Sequence, residues 1–272
     1  MAPPVQSTPV AWRPPSDQLR LRDGLWQANS VSPVSYPDAG NEFCFQVEDT
    51  SYWFRHRMDC LLTAIRHFPP AGTFFDIGGG NGFVALALQS AGLEVALVEP
   101  GAGAGNALRR GVRAVIHATL DDARFHPHSL PAAGAFDVIE HIPDEVAFLR
   151  GIRERLVPGG RFYCTVPAFP FLWSDEDVHA GHFRRYTHRT LCAALGQAGF
   201  TVEFATYFFA WLTLPVFAFR SLPSRLRMQN KTVIGSPKAL QSDHRLPTAL
   251  AGLVGQTQAW ELDRLRAQRP LP

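Results

Sequence analysis

The stretch FDIGGGNG, residues 75–82, decides the fold. An apolar strand predicted over residues 73–77 runs into glycines at alternate positions, Gly78, Gly80 and Gly82. An apolar helix follows over residues 83–88. Strand, glycine turn and helix make half of a nucleotide-binding βαβ unit. Glycine is needed where a turn is tight and the backbone approaches a ligand closely. A dinucleotide fingerprint, G-x-G-x-x-G, would put its last glycine at position 83, which is Phe83. The pattern here is G-x-G-x-G, preceded by Asp76.

The second half of the unit follows. A strand predicted over residues 94–98 ends at Glu99, an acid placed to accept hydrogen bonds from ribose hydroxyls. Further strands are predicted over residues 113–116, 135–139, 161–166 and 200–208. Helices alternate with them. One starts at Asp144 and is stopped by Pro158-Gly159-Gly160; another is capped by Thr187 and ends at Ala198-Gly199. This alternation predicts a doubly wound, mostly parallel α/β sheet.

From about Glu48 to Pro223 the chain resembles the class I S-adenosylmethionine-dependent methyltransferases, on Asp76, the glycine run, Glu99 and the order of elements. The resemblance implies a single domain with a seven-stranded sheet, helices on both faces and a last strand running antiparallel. It implies S-adenosyl-L-methionine as cofactor and in-line methyl transfer to a small-molecule or lipid- or glycan-type acceptor. Gly78, Gly80 and Gly82 would let the backbone approach the methionine part. Asp76 would order the turn, and Glu99 would hold the ribose. Thr119 and Leu120, with Asp121, would flank the adenine, and Phe136, beside Ala135, would lie under the sulfonium. Two alternatives stay open: the same cofactor spent on cyclisation or cleavage that releases methylthioadenosine, or a cofactor-binding partner subunit without turnover. No metal is expected.

Residues 48–68 read as a helix entered through Thr50 or Ser51. Its start, Tyr52-Trp53-Phe54-Arg55-His56-Arg57, suits a lid: an aromatic face such as Trp53 stabilises a sulfonium, and Arg57 pairs with a carboxylate. The same aromatics also suit an ordinary helix packed on the sheet. His141, after the fourth motif-bearing strand, stands where a general base would take an acceptor's proton at neutral pH, or where Glu140 and His141 only fix a helix start. The loop over residues 166–187 carries acceptor-binding candidates Trp173, His182, Arg185 and Tyr186. Arg184 and Arg185 suit an anionic acceptor or the loop's own acids. His179 and His182 with Asp175 or Asp177 offer metal donors, but such loop clusters are usually hydrogen-bonded networks.

The apolar run over residues 207–219, YFFAWLTLPVFAF, falls short of the roughly 20 residues a membrane span needs. It reads as buried, as an acceptor channel, or as a peripheral contact with lipid or a lipid-linked substrate. A net charge of +2 with scattered Lys and Arg gives no nucleic-acid footprint. Four cysteines without CxxC spacing and an N-terminus without a basic-apolar leader predict a cytoplasmic protein. Residues 1–47, rich in proline, read as a partly irregular arm, residues 48–223 as the methyltransferase domain, and residues 224–272 as an extension with a helix over 246–268. Oligomeric state is not legible.

Overall fold

The computed structural model describes residues 12–34, 38–226 and 248–271. Seven strands form one sheet: β1 Arg20–Arg22, β2 Leu25–Gln27, β3 Phe74–Ile77, β4 Val95–Val98, β5 Ala114–His117, β6 Leu130–Phe136 and β7 Leu156–Thr165. Their order is β1-β2-β5-β4-β3-β6-β7, and every pairing except β1 with β2 is parallel. β3 lies between β4 and β6, so the glycine turn opens at the centre of the carboxyl edge, where open α/β sheets bind ligands.

Seven helices flank the sheet up to residue 197: α1 Asp38–Val47, α2 Tyr52–His67, α3 Phe83–Ser90, α4 Gly103–Arg110, α5 Glu145–Arg155, α6 Asp175–His179 and α7 His188–Gln197. Alternate residues of each strand face opposite layers. On one face Phe74, Val95 and Leu97 pack with Met58 and Leu61 of α2, Val84 of α3 and Ala104 of α4. On the other, Phe75, Ile77 and Ile116 pack with Ile152 of α5 and with Leu19. Each such buried side chain contributes about 1.5–3 kcal/mol of transfer free energy. An irregular helical segment spans residues 210–225, and α8, Thr248–Arg266, packs on α2.

Three expectations are corrected. The antiparallel member lies at the other edge and comes from the arm: Asp23 and Gly24 both take positive φ, +50° and +80°, closing a two-residue hairpin between β1 and β2. β2 then pairs with β5, so the arm between residues 12 and 34 belongs to the sheet. Residues 200–208 form no strand. Their aromatic rings anchor to separate elements, Phe200 on Phe162, Phe204 on Phe68 and Tyr207 on Phe169, and they share no ladder with β7. The strand expected over residues 135–139 is β6 and ends at Phe136, because Asp137 takes φ +60° and Ile139–His141 coil into a single helical turn. Of the two candidate caps of α2, Ser51 serves: its hydroxyl accepts the Trp53 amide at 3.2 Å. The first eleven residues of the arm and residues 227–247 of the extension lie outside the described residues.

Candidate functional site

A cavity of about 1620 Å³ opens along the carboxyl edge of β3, β4, β5 and β6. Gly78 and Gly80 form its floor, with φ of +69° and +52°. Glu99, at the end of β4, already organises this turn. One carboxylate oxygen accepts the Gly80 amide at 2.9 Å, and the other accepts the Gly101 amide at 2.7 Å. A carboxylate has about four lone-pair sites, so ribose hydroxyls can share it.

Asp76 lies beneath the turn, buried, and apart from a weak approach by the Ala85 amide neither of its oxygens has a hydrogen-bond partner among the described residues. Burial raises its carboxyl to about 7; Arg57 draws it down, Glu99 pushes it up, and the nearby Ala85 amide adds a small lowering. Gly82 has a different duty from the one expected. It does not line the cavity, and a Cβ there would lie 2.8 Å from the Cβ of Ala107, so its small size serves the packing of α3 on α4.

Thr119, Leu120 and Asp121 line one side of the cavity. The arm completes it. Ser32 is held by Asp122 through its amide at 2.8 Å and its hydroxyl at 3.0 Å, which brings Pro33 and Val34 to the same wall. Sequence reading missed this contribution.

On the other side, Trp53 of α2 stacks on Phe209 with centroids 5.5 Å apart and planes 5° from parallel. Arg57, behind Trp53, pairs with Asp137 at 2.6 Å, while its buried Nε has no partner among the described residues. Phe209 itself takes φ +62°, a costly conformation for a residue with a side chain. Glu261 of α8 holds it there. Its buried carboxylate accepts the amides of Phe209 at 3.0 Å and Ala210 at 2.7 Å, and it meets the His56 ring at 2.8 Å. The extension therefore fixes one wall of the cavity.

Past Phe136 the cavity turns toward Glu140, His141 and His182. Burial first, then the charge of Asp137, raises Glu140 well above the usual carboxylate range. Burial and the neighbouring His182 hold His141 down at about 4. The ring is thus neutral at physiological pH and is a weaker base than the near-neutral histidine expected from the sequence.

The loop after β7 is a cross-braced network. Asp177 receives His182 Nδ1 at 2.8 Å, Arg185 Nε at 2.8 Å and the Ser174 amide at 2.9 Å. These contacts, with burial opposing them, leave the Asp177 carboxyl below its ordinary value. Arg184 pairs with Glu145 of α5. His182 and Arg185 line the cavity, whereas Trp173 and Tyr186 do not. Tyr186 is a core residue packed with Ala135, Ile139 and Leu149, because its backbone bonds to Pro167 and Phe169 turn it inward. Beyond the loop, Phe169, Tyr207, Phe208, Leu212 and Val216 give the cavity an apolar wall.

Comparison with known proteins fits this geometry. A family model described as a methyltransferase domain matches residues 52–204. A ubiquinone biosynthesis O-methyltransferase of Sodalis glossinidius is 28% identical over 122 residues, 42% of this chain. The chain spans about half of that relative's length, 49%. A phosphoethanolamine N-methyltransferase of Haemonchus contortus, solved with S-adenosyl-L-methionine, aligns at a TM-score of 0.52 and 19% identity, covering 89% of this chain and 58% of its own. The [4+2]-cyclase SpnF aligns at 0.50 and 17% identity, covering 78% and 89%. Both solved structures share the fold.

Proposed function

The chain belongs to the methyltransferase-domain family and uses S-adenosylmethionine, and from that premise we propose that it methylates a lipid-linked or otherwise partly apolar small-molecule acceptor. The observation that carries this reading is the size and shape of the cavity. At about 1620 Å³ it exceeds the roughly 300–1,000 Å³ of an ordinary ligand pocket, which leaves room for an acceptor beside the cofactor. Its far wall is apolar, and the adjoining helical segment exposes Leu214, Phe219 and Leu222 beside Arg220 and Arg225. An amphipathic surface of that kind suits contact with the acyl or prenyl part of a lipid. Among the described residues no helix is long and apolar enough to cross a membrane.

The residues present fit the cofactor. The glycine turn provides a close backbone approach, the unsatisfied Asp76 carboxylate provides a countercharge for an ammonium, and the spare Nε of Arg57 provides a donor for a carboxylate. Glu99 holds the ribose, Thr119 and Leu120 bound the adenine, and Trp53 and Phe136 face the cationic centre. When bound, S-adenosylmethionine supplies a methyl group activated on a sulfonium. The chain supplies alignment and exclusion of water, with Trp53 on Phe209 closing one side and the Asp177 network fixing the other.

Glu99→Ala should weaken binding of S-adenosylhomocysteine by about 1.5–3 kcal/mol, measured by titration calorimetry, since it removes an ionised acceptor. Equal affinity in the variant and the wild type would place the ribose elsewhere. The acceptor reading is tested by incubating the protein and methyl-labelled cofactor with the organic and aqueous fractions of a cell lysate. Label is expected in an organic-extractable product, with Leu214→Glu and Phe219→Glu slowing its appearance. Label confined to water-soluble products would contradict a partly apolar acceptor.

A further inference from the structure

We propose that Glu140, His141 and His182 form a binding site for a divalent first-row metal ion at the acceptor end of the cavity. Their ligand atoms, a carboxylate oxygen and two imidazole nitrogens, all lie within 4.8 Å of one another. The two rings meet edge to face with centroids 4.7 Å apart. The three residues come from two separate elements, the turn Ile139–His141 and the loop after α6, and all three line the cavity.

Glu140 is the independent observation. It is 1% exposed, and its Oε2 has no hydrogen-bond partner among the described residues. Burying a carboxylate is costly unless a cation or donors compensate it. Arg57, whose charge draws Glu140 partly down, is already paired with Asp137. This is not the exposed acidic cluster that surfaces commonly carry.

The surroundings orient the donors as they do in metal sites. Asp177, 1% exposed, takes His182 through Nδ1 at 2.8 Å, which leaves the other ring nitrogen available as a donor to an ion. A backbone hydrogen bond with Gly181 orients His141 in the same manner. A carboxylate behind a ligating histidine fixes its tautomer and raises its basicity. Two imidazoles and one carboxylate suit zinc, iron, cobalt or manganese, and three protein ligands leave a position open. All three ligands line the cavity, so an open position would be reachable from it. The chemical role alone rests on the methyl-transfer reading: the ion would supply Lewis acidity toward an acceptor oxygen and ease loss of its proton, so that no histidine base is required. This departs from the sequence-based expectation of no metal.

The test uses the full chain, stripped with chelator and titrated with Co²⁺ while visible d–d absorption is followed. One equivalent is expected to bind and to be displaced by Zn²⁺. Glu140→Gln and His182→Gln should each lower Co²⁺ affinity by at least about 10–100-fold, the loss seen even for outer-shell partners. Circular dichroism and S-adenosylhomocysteine affinity, measured on the same samples, should stay near the wild-type values. Wild-type Co²⁺ affinity no greater than that of the two variants would overturn the metal site. Absence of S-adenosylhomocysteine binding would instead overturn the cofactor reading and leave the Co²⁺ result standing on its own.

Discussion

Gly80→Val should bind S-adenosylhomocysteine at least about 100-fold more weakly than the wild type, with the fold intact by circular dichroism. Three constraints meet at this residue. Its φ is +52°, in the left-handed region, where a β-branched side chain is worst tolerated. Its amide is tied to Glu99 at 2.9 Å, so the turn does not rotate without losing that bond. Behind it the backbone of Gly103 is packed so tightly that a Cβ on Gly103 would lie 2.6 Å from the Gly80 carbonyl oxygen. The turn therefore has no room to retreat, and relieving the valine means distorting the surface proposed to hold the cofactor's methionine part. Calorimetry with S-adenosylhomocysteine reads the effect. Unchanged affinity would show that the cofactor does not use this turn.

Asp76→Asn should stabilise the ligand-free protein by up to roughly 4 kcal/mol at pH 8, and by almost nothing at about pH 2. The sign follows from the raised carboxyl. Asp76 titrates at about 7 in the folded chain against 3.8 in an unfolded one. Below 3.8 both states hold the proton, and the side chain costs nothing extra. As pH rises, the unfolded chain ionises first, and the folded state loses relative stability until it too ionises near 7. The gap between variant and wild type should thus start to open at about pH 3, widen up to about pH 7 and then level off. Denaturant unfolding at a series of pH values measures it. A gap independent of pH would mean that Asp76 is not held protonated by burial. The same variant should bind S-adenosylhomocysteine more weakly, because it removes the countercharge for an ammonium. Stability and binding moving in opposite directions is what a strained functional group produces.

The parts of the fold legible in the sequence are those set by local chemistry. The glycine run, the acid after β4 and the alternation of strands with helices act over a few residues, and the central strands and the cavity floor follow from them. The arm hairpin was legible too, in Asp23-Gly24 between Leu21 and Leu25, yet the surrounding prolines masked that turn signal. Residues 200–208 mislead for the opposite reason. Phe200, Val202 and Phe204 alternate as a strand should, but Phe200 and Phe204 pack on separate partners, Val202 is exposed, and they form no ladder.

Within the site, Trp53, Arg57, Asp76 and Glu99 reach the cavity because each sits on, or directly after, a well-marked element. Gly82 and Tyr186 do not, since which face of a turn or loop points inward depends on distant packing: Ala107 in one case, and the Pro167 and Phe169 backbone in the other. Glu261 was beyond reach for the same reason. Nothing near it in sequence announces that its carboxylate will hold the backbone of Phe209 and Ala210, some fifty positions away. The facing of Glu140, His141 and His182 likewise appears only once the loop has closed over the turn.

The central claim is methyl transfer from S-adenosylmethionine held in this cavity, and the most direct measurement is the mass balance of one turnover. With deuterated-methyl cofactor and the lysate fraction that supports reaction, S-adenosylhomocysteine should form in equal amount to a product carrying the intact deuterated methyl group. Release of methylthioadenosine, or tight cofactor binding with no S-adenosylhomocysteine formed on any fraction, would contradict the account.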